Sequence, residues 1–179
     1  MKTLKKSAYL LLLCLAVVAT SCKSDDDNNE EEEGGNGTEL FTAKIDGANF
    51  AASTDFETLI GGSLTTSQNG MVLVAQGSTN DGDFINFSIT EYNGVGTYTT
   101  GDDIMNPNGI QYGEVSGGAT IWASNLATAA LGTLRPGEIN VTSQDETGAK
   151  GTFSFEGYNA QGMTTKNVTE GKFEVIFDN

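Results

Sequence analysis

The sequence contains no histidine and only two cysteines, Cys14 and Cys22. Without imidazole there is no His-based triad, no histidine metal site and no imidazole acid–base chemistry. Cys14 lies inside an apolar run and Cys22 at its end. The region beyond therefore offers no disulfide, no thiol nucleophile and no thiolate zinc site. No glycine-rich loop is followed by Lys-Ser or Lys-Thr, so a phosphate-loop signal is missing. Positive charge is scarce: nine Lys and Arg stand against 24 Asp and Glu, a formal net charge of −15. Nucleic acid binding needs a basic footprint, and this balance excludes it. No apolar run reaches the roughly 20 residues of a comfortable membrane-spanning helix.

The longest apolar run has a different reading. Lys2, Lys5 and Lys6 precede an almost wholly apolar stretch from Tyr9 to Val18. A positive region followed by a short hydrophobic one is the pattern of an export leader, expected here over residues 1–21. A buried core helix is the competing reading, but the charge steps on both sides oppose it. Ala19-Thr20-Ser21-Cys22 resembles a bacterial lipobox, in which small residues precede a cysteine that takes diacylglycerol before cleavage. Ala19 stands where leucine is usual. Plain secretory cleavage is the alternative, but it gives no reason for a cysteine at this point. Cys22 is therefore the expected lipidation site, with the membrane as partner through that lipid.

Lys23 to Gly37, KSDDDNNEEEEGGNG, has no apolar residue. Such a segment cannot offset the entropy of ordering, and like charges extend it. Residues 22–37 are expected to form a disordered acidic tether reaching at most about 50 Å. From Cys22 onward six basic residues face 24 acids, and from residue 38 onward five face 17.

Residues 38–179 read as one all-β domain, large enough to bury roughly 68–70% of its unfolded surface. Phe41, Ala43 and Ile45 alternate with polar residues up to an Asp46-Gly47 turn. Asn49 to Ser53 begins a partner strand. Thr58–Leu64 is a weaker strand, with Gly61-Gly62 suggesting a bulge or bend. Met71–Ala75 is continuously apolar, which predicts a central strand covered on both faces. Ile85, Phe87 and Ile89 face one side of the next strand, and Asn86, Ser88 and Thr90 the other. A short strand ends near Thr100, and 101–109 form a loop. Ile110–Val115 and Ala119–Ser124 make a strand pair. Asn125–Leu134 is the one candidate helix, ended by Arg135-Pro136-Gly137. Strands follow over 138–144, 151–158 and 167–178. With 23 glycines and two prolines, this pattern predicts a single antiparallel β-sandwich or open β-barrel.

Cys-Lys-Ser-Asp-Asp-Asp resembles the start of lipoproteins from Bacteroidetes-type (flavobacterial) bacteria. FTAKIDGANFAA at 41–52 and GEINVTSQDETGAKGTFSFEGYNA…VTEGKFEVIFD at 137–178 are similar to a family of small uncharacterised lipoproteins from the same bacteria. The resemblance implies outer-membrane attachment, with export to the cell surface favoured by the lysine and acids after the cysteine. The periplasmic face is the alternative. It implies no activity and no site residues.

Chemistry without histidine or cysteine rests on carboxylates, Tyr, Lys or Ser. Paired carboxylates hydrolyse glycosides, and Glu91, Glu114, Asp102 and Asp103 are available. Calcium suits the oxygen-rich clusters containing Asp81 and Asp83, and Asp102 and Asp103. Turn chemistry accounts for the same residues without a metal, and no cofactor is otherwise expected. Strand alternation places Tyr92, Trp122 and Tyr158 on polar faces, where aromatic rings can stack on a sugar or peptide. The competing reading is that they roof the core at strand ends. The expected function is non-catalytic binding of a glycan, a peptide or an envelope component. A carboxylate-only carbohydrate hydrolase and a structural or adhesive surface protein are the alternatives.

Overall fold

The computed structural model describes residues 39–55, 59–132 and 134–178. The expected leader, Cys22 and the tether lie outside these residues. Within the unit that spans Asn36–Asn179, the described residues form eleven strands. They are β1 (Leu40–Ile45), β2 (Ala48–Ala51), β3 (Ile60–Ser67), β4 (Gly70–Ser78), β5 (Phe84–Tyr92) and β6 (Gly96–Thr100). Then follow β7 (Gly109–Glu114), β8 (Thr120–Ser124), β9 (Gly137–Gln144), β10 (Gly148–Asn159) and β11 (Thr164–Ile176). One short helix, α1 (Leu126–Ala130), lies between β8 and β9.

The all-β expectation holds. The strands form one antiparallel sheet in the order β2-β1-β11-β10-β8-β7-β5-β4-β3. It forks at β10, whose first part pairs β9 from Ala149 to Phe155 and whose end meets β8 at Tyr158. β9 in turn carries β6. The sheet curls into a half-barrel, and its far strand returns to the segment after β11. Gly62 forms a parallel bridge with Phe177, and the Asp178 N–H donates to the Gly62 carbonyl at 3.1 Å.

Alternation along each strand sends one face inward. Phe41, Phe87, Phe153 and Phe173 meet there from four strands, with ring centroids 4.9 to 6.4 Å apart. Each such ring contributes about 1.5–3 kcal/mol by leaving water. Ile85, Ile89, Ile139, Val141, Val168 and Val175 fill the space around them. The Asp46-Gly47 turn forms as expected, with φ of 49° and 86°, the left-handed pair that a two-residue hairpin favours.

Three local expectations are corrected. Gly61-Gly62 is no bulge, because β3 pairs β4 without interruption from Ile60 to Ser67. Gly62 is there for close approach: a Cβ would lie 2.5 Å from Val175 Cγ2. β4 is not covered on both faces. Leu73 and Ala75 are buried, whereas Met71 and Val74 are exposed. The helix is one turn, not ten residues. Its Leu131 cap leads to Gly132 at φ 74°, which turns the chain before Arg135-Pro136 is reached.

Candidate binding trough

The uncovered face of β4, β5 and β7 forms the floor of a trough of about 470 Å³. Residues directly opposite in paired strands share a face, so the register defines the floor. Gln76 pairs with Asn86, and Asn86 with Gln111. These three amides form a row across three strands, stepped by about 4.8 Å. A second row runs Val74, Ser88, Gly109. The side chains of Gln76, Asn86 and Gln111 make no hydrogen bond to another described residue. Each is left with two donors and an acceptor oxygen.

One wall is Pro107, and its loop is tightly bonded. Asn106 Nδ2 donates to the Thr99 carbonyl at 2.8 Å and to Asp102 Oδ1 at 2.6 Å. The Asn108 N–H donates to Asn106 Oδ1 at 2.9 Å. Asn108 Nδ2 donates to the Thr99 carbonyl, and its Oδ1 accepts from the Thr90 N–H at 2.9 Å. Asn108 thus gives the Thr90 N–H a partner just before β7 begins. The other wall is Asn125, Leu126 and Ala127. Asn125 caps α1 through a reciprocal pair with Thr128 at 3.1 Å each way. Both walls are therefore set before any ligand arrives.

A buried polar chain sits behind this wall. Thr100 Oγ1 and Ser124 Oγ are 2.7 Å apart, and Ser124 Oγ donates to the Arg135 carbonyl. Because Ser124 uses its proton there, Thr100 must be the donor to Ser124. The two hydroxyls tie the ends of β6 and β8 to the segment before β9.

Among the described residues, the trough's lining includes no Asp, Glu, Lys or Arg, although the chain from residue 38 carries 17 acids and five bases. In the Pro107 loop, hydrogen bonds from Asn106 and then Thr99 hold the Asp102 carboxyl below its ordinary value of 3.8.

The three aromatic candidates are not brought together. Tyr92 is 4% exposed. Glu91, at φ 57°, is an extra residue opposite β4, where the pairing moves from Met71–Tyr92 to Val72–Thr90. That single bulge reverses the alternation and turns Tyr92 onto the face of Ile85, Phe87 and Ile89. Its hydroxyl meets no partner among the described residues, and burial raises its pKa.

Trp122 is 6% exposed, while Ile121 is on the outside at 39%. Trp122 pairs in register with inward-facing Tyr112. The two rings stack at 5.8 Å, Trp122 Nε1 donates to Thr164 Oγ1 at 3.0 Å, and Lys166 Nζ lies 5.3 Å from the indole centroid. The expected polar-face placement of Tyr92 and Trp122 is therefore corrected. Tyr158 is half-buried on the outer face, with the Arg135 guanidinium 5.7 Å from its ring and Arg135 paired to Glu156 at 2.9 Å.

The candidate carboxylates Asp83, Asp102, Asp103 and Glu114 are separately engaged. Asp83 Oδ1 accepts from the Val115 N–H, and Asp103 Oδ1 from the Met105 N–H. Asp81 is exposed in a turn. Glu114 accepts from the Tyr112 hydroxyl and pairs with Lys166, and Glu91 is the exposed bulge residue. Among the described residues, no group of three or more His, Cys, Asp or Glu gathers to hold a metal.

Gln76 and Gln111 escape sequence reasoning, because a lone glutamine in a strand carries no motif. The available signal was the strand alternation that puts Asn86 on an outward polar face. No curated protein and no solved structure matches the chain. Residues 37–176 match the family described as a domain of unknown function (DUF6252), and the chain belongs to that family.

Proposed function

We propose that this protein is a surface lipoprotein whose β-domain is a non-catalytic binding module, and that the trough takes its ligand. The observation that carries the reading is the row of three unengaged amides between two fixed walls. Amides give oriented hydrogen bonds without charge, and the apolar rims of Val74, Pro107 and Leu126 can cover a ligand's nonpolar faces. The lining offers no nucleophile activated by a base and no pair of carboxylates, which favours binding over hydrolysis.

The test is a glycan and peptide array probed with the full-length chain in detergent. Gln76→Ala, Asn86→Ala and Gln111→Ala are each expected to weaken the strongest hit by roughly 2- to 10-fold, the equivalent of ~0.5–1.5 kcal/mol for a neutral hydrogen bond. A triple variant that binds as well as the wild type removes the trough from the function.

Attachment is proposed through diacylglycerol on Cys22, with the domain facing outward from the outer membrane. The supporting features are the apolar run into Cys22, the acidic segment after it and the resemblance to Bacteroidetes-type lipoproteins. Labelled palmitate is expected to mark the wild type and not Cys22→Ala. Protease added to intact cells is expected to cleave the domain, and its survival until the cells are broken would place it on the periplasmic side.

A further inference from the structure

We infer that the trough receives an extended, uncharged polysaccharide laid across the strands, with one sugar ring over each amide. The inference rests on the binding role proposed above and narrows its ligand class.

The first ground is chemical matching. A sugar hydroxyl both donates and accepts, and so does a carboxamide. An apolar ligand would strand the three floor amides without partners, at a cost for each. A cationic ligand would call for lining carboxylates, and an anionic one for Lys or Arg; the lining has neither.

The second ground is geometric. The amides repeat at the interstrand step of about 4.8 Å, close to the advance of one pyranose unit in an extended glycan. An extended peptide gains most of its affinity by pairing its backbone with a free sheet edge. Here the floor is the face of β4, β5 and β7, whose backbones already pair with one another. Only side chains are on offer, at a spacing set by the sheet.

The third ground is the length of the row. Beyond Gln111 it meets Asn125, Leu126 and Ala127. In the opposite direction the two rows run onto β3 at Gly61, opposite Gln76, and Ser63, opposite Val74. There the amide row ends beside the Asp178 carboxylate, whose Oδ2 stands 3.8 Å from the place a Gly61 Cβ would take, and β3 meets the chain after β11 through the Gly62–Phe177 bridge. The row between these two ends offers one subsite per amide.

The test is titration of the full-length chain in detergent with neutral β-linked oligosaccharides of one to six rings, followed by NMR of side-chain amides. Affinity is expected to rise several-fold per ring up to three rings and then level off. The Gln76, Asn86 and Gln111 resonances should shift together. Affinity that keeps climbing beyond three rings overturns the assignment of one ring to each amide. If extended peptides shift the three amides and no saccharide does, the ligand class is wrong while the trough's binding role stands. If neither library moves these resonances, both readings fall.

Discussion

Tyr92 shows how one residue can change the meaning of a strand. Counted by twos from Ile85, it belongs to the polar face. The left-handed backbone of Glu91 adds one position, and the ring turns inward. Nothing in the alternation announces this, because the bulge is fixed by pairing with β4 and not by local propensity. The buried hydroxyl of Tyr92 without a described partner leads to a prediction. Tyr92→Phe removes a group whose burial costs about 1–3 kcal/mol when unpaired. The variant should melt at the same temperature as the wild type or higher. A clear fall in melting temperature would show that the hydroxyl is bonded. Trp122 was misplaced for a related reason. Its neighbours Thr120 and Ser124 are polar, yet Ser124 is fully buried because Thr100 and the Arg135 carbonyl satisfy it. Sequence alone cannot distinguish a satisfied buried serine from an exposed one.

Strands were legible because their inner residues alternate cleanly, as Phe153 and Phe155 or Phe173, Val175 and Phe177 do. The trough was less legible, because it is assembled by register across elements far apart in the chain. Its loop wall depends on hydrogen bonds that titrate. Asp102 accepts from Asn106 and Thr99, and its folded pKa lies below the ordinary 3.8. A depressed carboxyl contributes stability above its unfolded pKa and loses it as pH falls through the folded value. Asp102→Ala should therefore lower stability at neutral pH by ~1 kcal/mol or less, given its exposure, and should cost nothing once the wild-type carboxyl is protonated. Urea unfolding at pH 7 and below pH 3 reads the difference. An equal cost at both values would mean that the charge is not what holds the loop.

The whole domain carries five bases against 17 acids from residue 38 onward. Some of the bases are already paired: Lys44 with Glu170 at 2.7 Å, Arg135 with Glu156 at 2.9 Å, and Lys166 with Asp46 and Glu114 at 3.4 Å. The remaining acids repel one another, and salt screens that repulsion over a Debye length of about 10 Å at 0.1 M. Raising sodium chloride from about 0.01 M to about 0.15 M should lift the melting temperature by several degrees. A fall would mean that the pairs matter more than the excess. The same fold answers a question of force. β1, the first strand, is not at the edge of the sheet: it hydrogen-bonds to β2 on one side and β11 on the other. A pull arriving along the chain at Leu40 is shared by two ladders at once. A domain moored by its N-terminus and dragged by a bound polymer would thus take the load on a strand gripped from both sides, not on one that could be peeled away.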